Sequence, residues 1–222
     1  MKLEIDNVEL NYSGKKILSG IYLKAEKGKI TGLLGSNGCG KSSLLKIIFG
    51  SLKPKNKLLK INNKPCLKPL YVSKNVKYLP QHPLFPKNLY LKEAFHLFDA
   101  DWEAFISHFP NLKKHFHEQF GKLSGGERRL TEIFLVLNSS SEIILLDEPF
   151  THLSPLYIES ISEILQKARQ KKAIIITDHM YRHVLDIADE IYLIKDRHSY
   201  QITQPSDLEN YNYLRQGTLQ SF

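Results

Sequence analysis

Two short runs in this chain are apolar without a break, Ile143-Ile144-Leu145-Leu146 and Ala173-Ile174-Ile175-Ile176. A strand buried on one face alternates apolar with polar, whereas one buried on both faces does not, so these runs predict central strands of a covered parallel sheet. Lys29-Ile30-Thr31-Gly32-Leu33-Leu34 reads as a third such strand, followed by a helix over residues 42–49 and a stop at Gly50. Residues 3–23 alternate and predict antiparallel strands joined at Ser13-Gly14. Helical spacing marks Leu91, Ala94, Phe95 and Phe98, then residues 127–137, then Leu156, Ile161, Ile164, Leu165 and Ala168. Strands and helices alternate from 143 to 194, and a polar, aromatic tail over 205–222 is expected to anchor through Tyr211 and Tyr213.

The loops between these elements carry the candidate chemistry. Gly35-Ser36-Asn37-Gly38-Cys39-Gly40-Lys41-Ser42 lies between a strand and a helix in the pattern G-x-x-x-x-G-K-S. Its glycines let backbone N–H groups turn inward, and the helix that follows adds about half a positive charge at its N-terminus. Such a nest suits polyanionic phosphate, with Lys41 as a point charge and the Ser42 hydroxyl as a Mg²⁺ ligand. Asp147, at the carboxyl end of a buried strand, falls on the same edge as this loop and is expected to hold the metal; the next residue, Glu148, suits a general base. The strand over Ala173–Ile176 leads through Thr177 into Asp178-His179, where a neutral imidazole can sense phosphate. Leu123-Ser124-Gly125-Gly126-Glu127 opens a helix with Ser124 at its N-cap and forms a second phosphate nest. One chain has one phosphate loop, so the second nest implies a head-to-tail dimer in which Ser124, Gly125, Gly126 and Glu127 reach the partner's nucleotide.

Composition narrows the class. A chain of 222 residues buries roughly 70% of its unfolded surface, enough for one large core. No apolar run approaches the roughly 20 residues that span a bilayer, and the first residues lack the apolar stretch of a signal peptide. Two cysteines, Cys39 and Cys66, suit a reducing cytoplasm. Cys39, just before a helix N-terminus, is expected to favour the thiolate and to be protected by ATP from alkylation. The net charge of +8 owes much to Lys53, Lys55, Lys57, Lys60, Lys64, Lys68, Lys74 and Lys77. That tract is read first as a solvated sheet edge, with anionic lipid headgroups and nucleic acid as alternatives. His115 and His117, two apart, share no helix face, and no cysteine or clustered carboxylate joins them or His108, so metal binding there is not expected.

Together these residues resemble the nucleotide-binding subunit of ATP-binding cassette (ABC) transporters over nearly the whole chain. Tyr78-Leu79-Pro80-Gln81, Leu123-Ser124-Gly125-Gly126-Glu127-Arg128-Arg129, Ile144-Leu145-Leu146-Asp147-Glu148-Pro149-Phe150 and Ile176-Thr177-Asp178-His179 are most similar to the lipopolysaccharide-exporter and branched-chain amino-acid subgroups. The resemblance implies an α/β fold: a P-loop nucleotide hydrolase core with an N-terminal antiparallel β subdomain and a small helical subdomain over about 82–138, within one domain spanning 1–222. It implies ATP and Mg²⁺ as cofactors, Gly35, Ser36, Asn37, Gly38, Cys39, Gly40, Lys41, Ser42 and Ser43 as the phosphate cradle, and Tyr12 as the ring on adenine, although tyrosine is also common in strands. Gln81 would touch the metal and the water; Lys41, Gln81, Glu148 and His179 would be the catalytic set.

Three departures from the family pattern accompany the resemblance. Ser154 stands where an Asp usually helps couple the two ATP sites, Glu127 replaces the commoner Gln as in the subgroups just named, and the stretch between Gln81 and Ser124 is short. The expected function is ATP hydrolysis by a cassette that dimerises around two Mg-ATP and drives a membrane permease from the cytoplasmic face of the inner or plasma membrane. The alternatives are a soluble ABC ATPase acting on nucleic acid or a protein complex, and an ATP-gated interaction module with negligible turnover.

Overall fold

The computed structural model describes residues 1–221. β1 (Lys2–Tyr12) and β2 (Lys15–Glu26) form an antiparallel hairpin. Ser13 and Gly14 at its tip both have positive φ, 45° and 80°, the backbone twist that suits a two-residue turn. β4 (Asn56–Ile61) and β5 (Lys64–Pro65) complete a sheet of order β2-β1-β4-β5.

The second sheet runs β10 (His198–Ile202), β9 (Glu190–Lys195), β3 (Ile30–Gly35), β8 (Ala173–Thr177), β7 (Ile143–Asp147) and β6 (Val76–Leu79). All pairings are parallel except β10 on β9. Both faces are covered, which is why the central strands show no alternation. Ile143, Leu145, Ala173 and Ile175 pack with the N-terminal hairpin and α1 (Lys41–Phe49). Ile144, Leu146, Ile174 and Ile176 pack with α4 (Gly125–Asn138), α5 (Pro155–Arg169) and α6 (Tyr181–Ile187). Each Ile or Leu among them contributes roughly 1.5–3 kcal/mol over an exposed one. Because β3, β7 and β8 run parallel, their carboxyl ends meet at one edge, with Asp147 opposite Thr177.

Between β6 and α4 lie α2 (Leu91–Phe98) and α3 (Trp102–His108), held largely by aromatic packing. Phe95, Phe105 and Phe134 are buried, with ring centroids 5.1 Å apart for Phe95–Phe105 and 5.0 Å for Phe105–Phe134. Trp102 meets Phe95 edge-on at 4.9 Å.

Several expectations need adjustment. α5 buries Ile158, Ile161, Ile164 and Leu165, but Leu156 is exposed and not part of that face. A step of five residues turns a helix by about 140° beyond one full turn, so Leu156 and Ile161 point apart. In the lysine tract Lys53, Lys55, Lys64, Lys68 and Lys74 are exposed, whereas Lys57, Lys60 and Lys77 are partly covered. Lys55 pairs with Glu9 at 3.2 Å, Lys57 donates to the Ile47 carbonyl, and Lys77 lies over the Phe98 ring. In the tail, Tyr211 stacks on Tyr200 at 4.6 Å and Tyr213 meets Tyr181 edge-on, both partly buried against the core. Phe222, the last residue of the expected tail, lies outside the described residues.

Candidate nucleotide site

The loop from β3 into α1 needs glycine for steric reasons at two points. Gly40 has φ 109°, and a Cβ there would meet the Leu18 side chain at 2.6 Å. At Gly35 (φ 150°) a Cβ would lie 2.7 Å from the Ile194 carbonyl oxygen, a backbone atom with little freedom to move. Lys41 folds its ammonium back over the loop, donating to the Gly35 carbonyl at 2.7 Å and the Ser36 carbonyl at 3.2 Å. Gly50 ends α1 in the left-handed conformation, its N–H returning to the Lys46 carbonyl.

A cleft of about 530 Å³ opens over this loop. It is lined by Asn37, Gly38, Gly40, Lys41, Ser42 and Ser43 from the loop and α1, by Tyr12 and Ile17 from the hairpin, and by Gln81, Glu148, Thr151 and His179 from the sheet edge. Gly35, Ser36 and Cys39 lie outside the lining. Tyr12 is 47% exposed, its ring open to a planar ligand.

Four polar contacts cross the edge. Ser42 Oγ donates to Asp147 Oδ1 at 3.0 Å, and the Tyr78 hydroxyl donates to Asp147 Oδ2 at 2.9 Å. Gln81 Nε2 donates to Glu148 Oε2 at 2.7 Å, and His179 Nδ1 lies 3.4 Å from the same oxygen. Glu148 itself has φ 50°, and its N–H donates to the Thr177 carbonyl at 2.7 Å. Asp178 is fully buried and accepts from the Phe150 and Met180 backbone N–H groups, which ties the loop after β7 to the loop after β8.

Electrostatics distinguish the carboxylates and thiols. Burial pushes the Asp147 carboxyl above its ordinary range, while the hydroxyls of Tyr78 and Ser42 pull it back. A buried carboxylate paired only with hydroxyl donors gains from a cation, and the oxygen donors of Ser42, Asp147 and Gln81 suit a hard divalent ion such as Mg²⁺. Thr151, in the same lining, holds a buried hydroxyl oxygen with no partner among the described residues, which a water or phosphate oxygen would satisfy. The residues therefore fit a metal–phosphate ligand. The expectation for Cys39 is corrected: burial pushes its thiol up, and the Lys41 charge and nearby backbone N–H groups only partly oppose this. The thiolate is not favoured, because Cys39 packs inward against the hairpin and α1.

None of residues 124–127 lines the cleft over the phosphate loop, although Gly125 shares a smaller cavity of about 190 Å³ with Gln81, Glu148 and Thr151. Ser124 caps α4 in a reciprocal box: its Oγ accepts from the Glu127 N–H at 3.3 Å, and Glu127 Oε2 accepts from the Ser124 N–H at 2.8 Å. Glu serves this box as well as Gln, a local reason for Glu127.

Sequence reasoning missed two residues that the geometry brings forward. Arg129 is 7% exposed and donates to the carbonyls of Pro80 (2.7 Å), Asp147 (2.6 Å) and Glu148 (3.0 Å). Tyr78, already described, touches Asp147. Both stand within the motif segments, but the partners of Arg129 are backbone carbonyls, which leave no mark in the sequence.

Residues 18–151 match the family model described as ABC transporter. The chain is 29% identical over 210 residues to the lipopolysaccharide export system ATP-binding protein LptB of Haemophilus influenzae, covering 86% of each chain. It is 32% identical over 203 residues to the probable branched-chain amino acid transport ATP-binding protein LivF of Archaeoglobus fulgidus, covering 84% of this chain and 86% of that one. A solved ATP-binding subunit of an ABC transporter superposes with a TM-score of 0.80 at 20% identity, over 100% of this chain and 97% of the other, and shows the same fold. With its phosphate loop, buried Asp147 and neighbouring Glu148 at one sheet edge, the chain belongs to the ABC transporter family and is the ATP-binding, ATPase subunit of such a transporter.

Proposed function

We propose that this cassette binds Mg-ATP in the 530 Å³ cleft, pairs head to tail with a second copy around two nucleotides, and drives a membrane permease from the cytoplasmic face. The observation that carries this reading is the convergence on one phosphate loop of Ser42 bonded to Asp147 and Gln81 bonded to Glu148 with His179 beside it.

The roles follow from position. Loop N–H groups from Gly35 to Ser43 and the Lys41 ammonium hold the phosphates; the Tyr12 ring takes the base. Ser42, Asp147 and Gln81 hold Mg²⁺, which supplies charge neutralisation on the transferring phosphate. Glu148 orients the attacking water and accepts its proton, and His179 donates toward the γ-phosphate. Gln81 also ties the segment after β6 to the base, so a shift of that segment moves Glu148.

The second copy is supported by the capped N-terminus of α4, in which Ser124, Gly125, Gly126 and Glu127 form a phosphate nest outside the cis cleft. Residues 82–138 form the helical subdomain that carries this nest within a single 1–222 domain. The permease is supported by a groove of about 230 Å³ beside β6, with walls from Phe49, Tyr71, Lys77, Tyr78, Leu84 and Phe98. Tyr71 in its wall is 48% exposed and the next residue along the chain, Val72, is 57% exposed, an apolar surface that suits a partner helix. Among the described residues no helix is long and apolar enough to cross a membrane, so the permease supplies the spans. The named relatives serve cargoes as unlike as lipopolysaccharide and branched-chain amino acids; what this chain shares with them is the ATP-driven engine.

The test is a pull-down of Glu148→Gln with Mg-ATP from gently solubilised membranes, since loss of the base traps the closed dimer with its partners. Recovery of a polytopic membrane protein is expected. Recovery of soluble partners or nucleic acid alone overturns the transporter coupling in favour of a soluble ABC ATPase.

A further inference from the structure

β6 lies in register with β7, placing Tyr78 opposite Leu145. Residues two apart on a strand share a face, so Tyr78 sits on the face of Leu145 and Asp147. Its phenol reaches along the strand, and the hydroxyl donates to Asp147 Oδ2 at 2.9 Å while Ser42 Oγ occupies Oδ1 at 3.0 Å. The ring of the same residue is a wall of the groove beside β6. It packs on Phe49 at 5.6 Å, and Phe49 packs on Tyr71 at 5.6 Å. One side chain thus belongs both to the surface offered to the permease and to the shell around the buried carboxylate.

We propose that Tyr78 is a positioning residue that fixes the Asp147 carboxylate for the divalent metal and links the groove to it. The inference rests on the reading of Ser42 and Asp147 as the metal site. A carboxylate with one hydroxyl donor on each oxygen has a single preferred orientation, in which Oδ1 faces Ser42 and the phosphate loop. Removing the Tyr78 donor frees the group to rotate and leaves Oδ2 without a partner at a residue only 1% exposed. Because the phenol is held through Phe49 by Tyr71, whatever presses on Tyr71 also bears on that hydrogen bond.

The test measures metal binding on the intact chain, independently of turnover. Mn²⁺ is titrated in the presence of a non-hydrolysable ATP analogue and the free ion is read by electron paramagnetic resonance. In parallel, affinity for a fluorescent ATP analogue is measured in EDTA. Tyr78→Phe, which deletes one oxygen and keeps the ring, is expected to weaken Mn²⁺ about tenfold with metal-free nucleotide affinity unchanged, the scale typical of a partner behind a metal ligand. A general structural defect would lower both affinities together and would overturn the proposal, as would wild-type Mn²⁺ affinity in Tyr78→Phe. Tyr71→Ala, which touches no site group, is expected to shift Mn²⁺ affinity in the same direction by less; no shift overturns the link to the groove. Ser42→Ala separates the two levels of argument. If it too leaves Mn²⁺ binding intact, the metal site itself is misassigned; if it weakens binding while Tyr78→Phe does not, only the role of Tyr78 falls.

Discussion

The sheet edge and the helical segment between Pro83 and Lys122 hold their residues by different means. At the edge, strand register and directional polar pairs set individual atoms: Asp147 between Ser42 and Tyr78, Glu148 against Gln81, Asp178 on two backbone N–H groups. In the helical segment ring-on-ring contacts are prominent, Phe95, Trp102 and Phe105 packing on one another and on Phe134 of α4. Aromatic packing stabilises a body without fixing any one polar atom, whereas phosphoryl transfer needs atoms in place. The two regions meet through α4. Glu132 accepts from the Leu84 N–H at 2.9 Å and pairs with Arg128 at 3.3 Å, while Arg129 holds three carbonyls of the catalytic loops. Under the proposed function this difference would divide the labour, with the chemistry at the edge and the helical body joined to it through α4.

The most disruptive way to break this division is to remove the joint. Arg129→Met leaves the Pro80, Asp147 and Glu148 carbonyls without their donor, and is expected to lower kcat about a hundredfold, more than KM, and stability by about 3–5 kcal/mol. Steady-state kinetics beside urea unfolding check both; a variant with normal kcat would show that the catalytic loops hold themselves. Phe105→Ala cuts the aromatic body instead, at an expected cost of about 3–5 kcal/mol in unfolding free energy. Its nucleotide affinity is expected to stay near wild type, and a large loss of ATP binding would contradict the separation of the regions.

A smaller effect sharpens the electrostatic side. Burial raises the Asp147 carboxyl above its unfolded value, so its contribution to folding is most favourable when protonated, below the unfolded pKa, and is lost as pH rises through the folded one. Asp147→Asn, measured without metal or nucleotide, is therefore expected to be more stable than wild type at pH 8, with the gap narrowing as the pH falls. Chemical denaturation from pH 8 downward is the check, and a gap that widens on acidification would reverse the sign. The least effect belongs to Tyr12→Ala, with an expected loss of roughly 0.5–1.5 kcal/mol in ATP binding and no change in Mg²⁺ dependence, read by calorimetry.

Legibility followed the same division. The doubly buried β7 and β8 showed in unbroken apolar runs, and the residues at their ends, Asp147, Glu148 and His179, were placed by topology alone. Ser124 and Glu127 were legible because a capping box is local. Tyr78 and Arg129 were not, since the partner of the first lies 69 residues away and those of the second are backbone carbonyls, which carry no sequence signal. Cys39 misled for a related reason: its place before a helix showed in the sequence, but its burial against the hairpin did not, and burial dominates.

The central claim is tested most directly by Mg²⁺-dependent phosphate release from the purified chain, wild type beside Glu148→Gln, with light scattering on the same samples. The account predicts turnover in the wild type, a loss of at least about a hundredfold in Glu148→Gln, and a doubling of mass when that variant is given Mg-ATP. Equal turnover in the two proteins, or a variant that stays monomeric with ATP bound, would contradict it.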